Sequence, residues 1–496
     1  MKHLKINILI VLFFISNLTI CQNTFLKTYG MPGEKSDRGY ALLEADGGGY
    51  VVVGETGSYH TNETPTTLFG NIFLMKTDIY GDTIWTKTYG NDDHDVAYSL
   101  EKTSDGGYII AGCDGYSGIR GDDYGLWIIK TDGLGDSIWS KKYKLGEGKS
   151  ICKTTDGGYI VTGASWWDSL GSFDVYLLKI DSLGNKQWLK NYNKSSENEG
   201  LSVEQTNDNG FIISAMTNYE TSRDIWLIKT DSVGDTIWTK IYTSEYSTIG
   251  YSVCQTTDGG YFIAGKNTEL GGGLESNIYL LKTDSIGDTI WTKTIRKSYS
   301  DIAYSGMQTA DGGYIAVGYT KSKNNDTYNS NIYLVKLDYE GNILWSSEIG
   351  NKYNYDFRGR DITETNDSGF IITGQESTEN YHYVDLCLVK VNSEGVLTSV
   401  EDRLNKILPK EYSLHQNFPN PFNPSTSISY QIPKDGFVNL VVYNILGQVV
   451  STLVNEHQTI GKYSVRFNES NLPSGVYIYK LHAGEFSSVK KMLLTK

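Results

Sequence analysis

Seven copies of one short segment recur along this chain, and no other feature narrows the fold as far. "TSDGGYIIAG" (103–112) returns as "EADGGGYVVVG" (44–54), "KTTDGGYIVTG" (153–163), "QTNDNGFIISA" (205–215), "QTTDGGYFIAG" (255–265), "QTADGGYIAVG" (308–318) and "ETNDSGFIITG" (364–374). The aligned aspartates are Asp46, Asp105, Asp156, Asp208, Asp258, Asp311 and Asp367. They step by 50 to 59 residues, close to the range of propeller and array repeats. A second block follows each copy, cleanest in "IWLIKTDSVGDTIWTKIY" (225–242). Its lysines recur as Lys76, Lys130, Lys179, Lys229, Lys282, Lys336 and Lys390, and its tryptophans as Trp85, Trp139, Trp188, Trp238, Trp291 and Trp345.

Within one unit, Trp85 to Asp132, "IWTKTYG", "DVAYSLEKT", "GYIIAG" and "LWIIKTD" alternate or run apolar over about six residues, each bounded by Gly, Asp, Asn or Ser. No stretch sustains a helical period, and abundant Gly, Tyr, Thr and Ile lean to β-structure. Four short strands make one blade of a β-propeller. The last unit reads "SEGVLTSVE" (393–401), with Ser399 where Trp should stand. The missing strand is at the other end, where "TFLKTYG" (24–30) matches "IWTKTYG" (84–90) with Phe25 in the Trp position. The expectation is an all-β chain: a seven-bladed β-propeller whose last blade is completed by an N-terminal strand. Trp, Tyr and β-branched residues would fill the wedges between blades.

The unit resembles bacterial β-propeller repeats of the "D…GGY…G.T.S…K.D..G…W" kind, found in large exported proteins, over roughly residues 24 to 400. That resemblance speaks to fold and hardly to function. The C-terminal segment differs: "YSLHQNFPNPFNPSTSISYQIP" (412–433) breaks the period and is rich in proline, and strands with turns follow. A small Ig-like β-sandwich is expected. The segment closely resembles the C-terminal sorting domain of the type IX secretion pathway. The matching residues are Asn417-Phe418-Pro419-Asn420-Pro421-Phe422-Asn423-Pro424, Tyr443-Asn444 with Gly447, Ser474-Gly475-Val476-Tyr477, and Lys490-Lys491. The resemblance implies the type IX machinery at the outer membrane as partner, with the domain removed and the cargo released or attached outside the cell.

The N-terminus agrees with that route. Lys2 and Lys5 precede the apolar run Ile8–Ile15, too short to anchor in a bilayer and suited to a cleaved export signal. Cleavage near Cys21 or Gln22 is expected; a lipid on Cys21 is the other outcome, disfavoured by Ile20 where a lipoprotein signal wants a small residue. The expected organisation is a signal peptide at 1–22, the propeller at 23–400, a linker at 401–411 and the sorting domain at 412–496. No further segment reads as a transmembrane anchor. A formal net charge of −14 argues against nucleic acid as partner. Cys113, Cys152, Cys254 and Cys387 are scattered and read as buried free thiols rather than a disulfide or zinc framework.

No catalytic residue, cofactor or metal site is assigned. The Asp-Gly-Gly segments lack the strand-to-helix context of a phosphate loop and read as hairpin turns, in which an Asp side chain bonds backbone N–H groups and Gly accepts positive φ. Seven equivalent lysines point to cross-strand pairing or strand-end solvation rather than to one special catalytic environment. The histidines form no metal-binding pair. Variation concentrates in the loops after "GYIIAG" and its counterparts, which should share one face, where a rigid scaffold places binding residues. In "ASWWDSLGSFD" (164–174), Trp166 and Trp167 are the ligand-binding candidates, by stacking on sugar or by packing on the next blade. The expected function is recognition or adhesion of an extracellular glycan or protein; the rival is a secreted carbohydrate-active hydrolase or lyase on the same scaffold.

Overall fold

The computed structural model describes residues 23–30, 36–58, 70–90, 94–115, 125–166, 173–195, 197–219, 222–243, 247–268, 275–324, 327–350, 355–378, 384–397, 411–458, 461–468 and 472–495. They are strands and turns without a helix, and they form two compact units, Met1–Leu397 and Thr398–Lys496.

The first unit is seven four-stranded antiparallel blades. Blade 1 runs outward through Ser36–Glu44, Tyr50–Ser58, Asn71–Thr77 and Thr83–Tyr89. The inner strands of the seven blades contact one another in sequence, and Ser36–Glu44 contacts Tyr355–Glu364 of blade 7, closing the ring. A single parallel pairing, Ser276 with Ser300, also joins the sheets of blades 5 and 6. Second and third strands are buried on both faces, as Tyr108–Asp114 is throughout, which is why they read as unbroken apolar runs. Blade 7 holds Tyr355–Glu364, Phe370–Thr378 and Val384–Val391, and its outermost strand is the N-terminal Phe25–Tyr29, with Phe25 opposite Lys390. The ring is therefore shut by pairing the two ends of the unit.

The repeated residues build the joints between blades. The Asp-Gly-Gly segment turns each inner strand into the second. Thr154 Oγ1 donates to Asp156 Oδ1 at 2.5 Å, Gly158 N donates to the same oxygen at 3.0 Å, and Lys179 Nζ reaches Asp156 Oδ2 at 2.8 Å from the third strand. The pair recurs as Asp105–Lys130, Asp208–Lys229, Asp258–Lys282, Asp311–Lys336 and Asp367–Lys390, at 2.6 to 2.9 Å. Asp46 instead takes Lys102 of the next blade, at 2.6 Å. The lysines are thus cross-strand ties.

The outer strand clasps the following blade in three ways. Trp85 lies on Gly135, where an added Cβ would come within 2.8 Å of the indole, and on the ring of Tyr108 at 6.4 Å. Gly135 has φ of +79°, so both space and backbone require glycine there. Lys87 Nζ pairs with Asp136 at 2.6 Å, and Tyr89 OH donates to Gly135 O at 2.5 Å. At the seam Phe25 takes the tryptophan's place, lying on Gly81 and Tyr50, while Lys27 pairs with Asp82 and Tyr29 OH donates to Gly81 O at 2.6 Å.

Two connections between second and third strands are hairpin arms rather than long loops. In blade 6, Tyr314–Asn324 and Thr327–Leu337 stay paired up to Asn324 and Thr327; in blade 4, Tyr219 pairs with Ser222. Thr, Ser and Tyr there favour extended backbone, so the sheet outlasts the apolar run that signals it.

The second unit packs a sheet of Ser413–Leu414, Ser425–Ile432 and Gly461–Asn468 with one of Val449–Gln458, Gly436–Tyr443, Gly475–Ala483 and Phe486–Leu494. Their shared core includes Phe422, Ile428, Tyr430, Leu440, Tyr479 and Met492.

Candidate functional site

Each inner strand carries one bulge, at the same place in all seven blades. Register skips a residue between Gly39 and Ala41, and likewise after Ala97, Gly148, Gly200, Gly250, Ala303 and Gly359. The preceding residue is small because the neighbouring blade lies against it: a Cβ on Gly39 would come within 2.2 Å of Thr373 Oγ1. A bulge re-aims the extra side chain. The extra residues are Tyr40, Tyr98, Lys149, Leu201, Tyr251, Tyr304 and Arg360, and with Glu199 they line one cleft of about 350 Å³ in the central channel.

Stacking orders this ring. Tyr40 and Tyr98 meet edge-on at 5.4 Å, and Tyr251 and Tyr304 lie 5.1 Å apart. Lys149 Nζ is 4.1 Å from the Tyr98 ring, and the Arg360 guanidinium is 4.4 Å from Tyr304 and 5.8 Å from Tyr40. Such cation–ring contacts are worth roughly 0.5–2 kcal/mol each. Below the ring, toward the Asp-Gly-Gly turns, hydroxyls tie one inner strand to the next: Ser99 Oγ accepts from Ile151 N at 3.1 Å, and Ser150 Oγ from Val203 N at 3.2 Å. Asp361 spans three blades, accepting from Ser305 Oγ at 2.8 Å and from Leu42 N at 3.0 Å. Two residues on, each strand contributes one of Leu43, Glu101, Cys152, Glu204, Cys254, Met307 and Thr363.

Toward the variable loops the wall is charged and paired. Glu55 accepts from Tyr40 OH at 3.1 Å, pairs with Arg38, and lies 3.2 Å from His94 Nε2. Burial pushes its carboxyl up, but His94 and Arg38 outweigh that and hold it at about 2. Lys149 pairs with Glu147 and lies 3.6 Å from Glu199. Both glutamates and Lys149 also line an adjoining cleft of about 320 Å³, with Arg223, Phe173 and Ala164.

Burial raises the phenols of Tyr40, Tyr98 and Tyr251, so they stay protonated and present ring faces and O–H donors. Burial also pushes the thiols of Cys152 and Cys254 up to about 12, which removes thiolate nucleophiles at neutral pH. All four described cysteines are free thiols. Among the described residues, no three His, Cys, Asp or Glu are grouped to hold a metal ion.

Trp166 is the last residue of strand Tyr159–Trp166, its backbone opposite Phe173, so it belongs to a hairpin and not to a loop. Trp167 lies outside the described residues, as do most of the unequal loops. The channel ring was not among the sequence candidates. Its signal is one position in each inner strand, the residue after Gly or Ala and before Ala, Ser or Asp, which reads Tyr, Tyr, Lys, Leu, Tyr, Tyr, Arg around the ring while its neighbours are small or short polar residues.

In the second unit the motif residues form a strap across the final strand. Asn417 Nδ2 donates to Pro419 O at 3.1 Å and Thr426 Oγ1 at 3.0 Å, and Tyr479 OH receives Asn417 N at 2.9 Å. Asn420 Oδ1 accepts from Leu493 N at 2.9 Å. Phe422 N donates to Leu493 O at 2.9 Å, and Thr495 N donates to Phe422 O at 3.0 Å. Phe422 is buried; Pro421, Asn423 and Pro424 are exposed. Gly447, with φ of +75°, closes a turn on Asn444; Gly475 begins a strand, and Tyr477 OH donates to Pro473 O at 2.8 Å. Lys490 and Lys491 stand on the last strand opposite Tyr479 and Ile478.

Residues 416–495 match the family described as a secretion system C-terminal sorting domain. No curated protein matches the chain. Among solved structures it is similar to the Pan2 WD40 domain of Neurospora crassa, at 10% identity and TM-score 0.45 over 73% of this chain and 91% of that one. It is also similar to Sqt1 of Chaetomium thermophilum, at 11% identity and TM-score 0.41 over 69% and 82%. A third likeness is to PorZ, a surface component of the type IX secretion system of Porphyromonas gingivalis, at 10% identity and TM-score 0.23 over 92% and 81%. Among the described residues, no helix is long and apolar enough to cross a membrane. The chain is a seven-bladed β-propeller carrying a type IX secretion C-terminal sorting domain, a module that implies export to the cell surface or beyond.

Proposed function

We propose that this chain is a non-enzymatic recognition protein outside the cell, and that it holds a glycan at the channel end facing the variable loops. One observation carries the reading: seven bulges of one geometry present four tyrosines, a lysine, a leucine and an arginine around one cleft. Tyrosine supplies a flat apolar face and a hydroxyl donor at low entropic cost, which suits a sugar ring with its hydroxyls. In this reading the N-terminal 22 residues are removed on export, and the sorting domain at 412–496 is read through its Asn-Pro-Phe strap before it is cleaved. Trp166, which ends the strand Tyr159–Trp166, and Trp167 are proposed as a second contact.

A glycan array with the mature chain tests this. Retention of at least one oligosaccharide, lost in Tyr251→Ala/Tyr304→Ala, is the expected result; retention unchanged in that variant would move the site out of the channel. Loss in Trp166→Ala/Trp167→Ala would add those residues to it. A hydrolase has one observation in its favour: burial raises the Glu199 carboxyl, Lys149 opposes this and Glu147 adds to it, so Glu199 could hold a proton near a second carboxylate. Lys149 stands against that reading by bridging the two glutamates. Release of reducing ends from a retained oligosaccharide would establish the hydrolase.

A further inference from the structure

Resting on that recognition reading, we propose that the sugar bound in the channel carries a carboxylate, as a uronic acid does, and that Arg360 is its anchor. The observation is a cation left without an anion. Arg360 forms no ion pair among the described residues, although Arg38, Lys149 and Arg358 around it each have a carboxylate, and its Nε is buried without a partner. Among the described residues its Nη2 donates to Gln375 Oε1, at 3.2 Å. The guanidinium carbon lies 4.4 Å from the centre of the Tyr304 ring and 5.8 Å from that of Tyr40, so two phenols hold the group in place. A planar, pre-oriented fork of N–H donors is the complement of a carboxylate.

The surroundings narrow the class further. Tyr98 and Tyr251 stand in the same ring, so a molecule seated on Arg360 also meets phenol faces and hydroxyls. Beneath the ring Asp361 accepts from Ser305 Oγ and Leu42 N, so these groups leave a carboxylate no free donor below the level of Arg360. The chain's formal net charge of −14 disfavours a densely charged polyanion. A cleft of about 350 Å³ is at the small end of ligand pockets, and it suits one or two sugar rings. Together these features favour a short uronic-acid saccharide over an acidic peptide, whose backbone gains nothing from phenol faces.

Calorimetric titration of the mature chain with digalacturonate and with its carboxyl-reduced counterpart tests the assignment. Digalacturonate should bind at least about tenfold more tightly, the scale of a hydrogen-bonded charge pair. Arg360→Met should abolish that preference, so that the two sugars bind alike. Arg360→Lys should restore part of it, because the charge returns without the fork. Equal binding of the two sugars, or an unchanged preference in Arg360→Met, would overturn the carboxylate anchor and leave glycan recognition standing. Binding of triglutamate with the same Arg360 dependence, in place of the sugar acid, would overturn the ligand class. Failure of both sugars to bind while another oligosaccharide is retained on the array would also overturn the inference; retention of none would remove the recognition reading itself. Circular dichroism of Arg360→Met should match the parent, so that lost binding is not lost folding.

Discussion

At the scale of single residues, the Asp-Gly-Gly turns show where the chain departs from its own rule. The first glycine of the pair is held at positive φ, as Gly106 is at +83°, and two copies place another residue there: Asn209 at +63° and Ser368 at +60°. A left-handed backbone costs an L-residue roughly 1–2 kcal/mol, with asparagine better tolerated than most. Ser368→Gly should therefore stabilise the propeller by about 1 kcal/mol, less the entropy that glycine adds to the unfolded chain, and Asn209→Gly by little or nothing. Chemical denaturation of the two variants checks this; a Ser368→Gly protein no more stable than its parent would mean that Ser368 has a compensating contact.

At the scale of elements, the outer-strand clasp decides how blades cohere. Tyr242 OH donates to Gly287 O of the next blade at 2.5 Å, beside the Lys240–Asp288 pair at 2.7 Å and the Trp238 indole on Gly287. Tyr242→Phe should cost about 0.5–1.5 kcal/mol, a typical net hydrogen bond, and Lys240→Met less, since both its charges are exposed. The seam gives a harsher test: Phe25→Ala removes the ring that covers Gly81 and should cost about 3 kcal/mol or more, with a lower denaturation midpoint as the readout. A loss under about 1 kcal/mol would mean the ends of the ring are not held there. These elements were legible in the sequence because blade-to-blade packing demands the same residues seven times; even Phe25 could be placed, from "TFLKTYG". The channel ring was not, because its position varies among Tyr, Lys, Leu and Arg from blade to blade, and a varying residue looks like noise until the bulge shows where it points. The backbone of Trp166 differs from its reading for a related reason: an aromatic residue after the last apolar repeat reads as loop, while Trp166 is still paired, opposite Phe173.

For the whole molecule, the seven-fold ring sets two populations of carboxyl groups against each other, and stability should follow pH accordingly. The turn aspartates Asp105, Asp156, Asp208 and Asp311 feel burial pushing them up, most strongly in the last three, but their lysine and threonine partners outweigh it and hold them at about 2. Their folded values lie below the unfolded one, so their stabilisation is full above about pH 4 and is lost as pH falls toward 2. In the channel the direction reverses. Burial pushes Glu101 up to about 7, with Glu204 adding to it and Lys153 opposing, and burial pushes Glu204 up to about 7 against its bond from Gln255 N. Here the folded state binds the extra proton, so stability is greatest below about pH 4.5 and declines as pH rises through 7. The melting temperature should therefore peak near pH 4–5 and fall on both sides. Replacing the two channel acids should separate the causes: Glu101→Gln/Glu204→Gln should flatten the decline between pH 5 and 8, worth about 2 kcal/mol per site at most, and leave the acid limb unchanged. Asp156→Asn should weaken only the acid limb while lowering stability at neutral pH. A parent protein whose melting temperature is the same at pH 5 and pH 8, and which gains nothing at pH 8 from the double glutamine variant, would show that the channel carboxyls ionise without cost and that the channel is far wetter than its tyrosine ring implies.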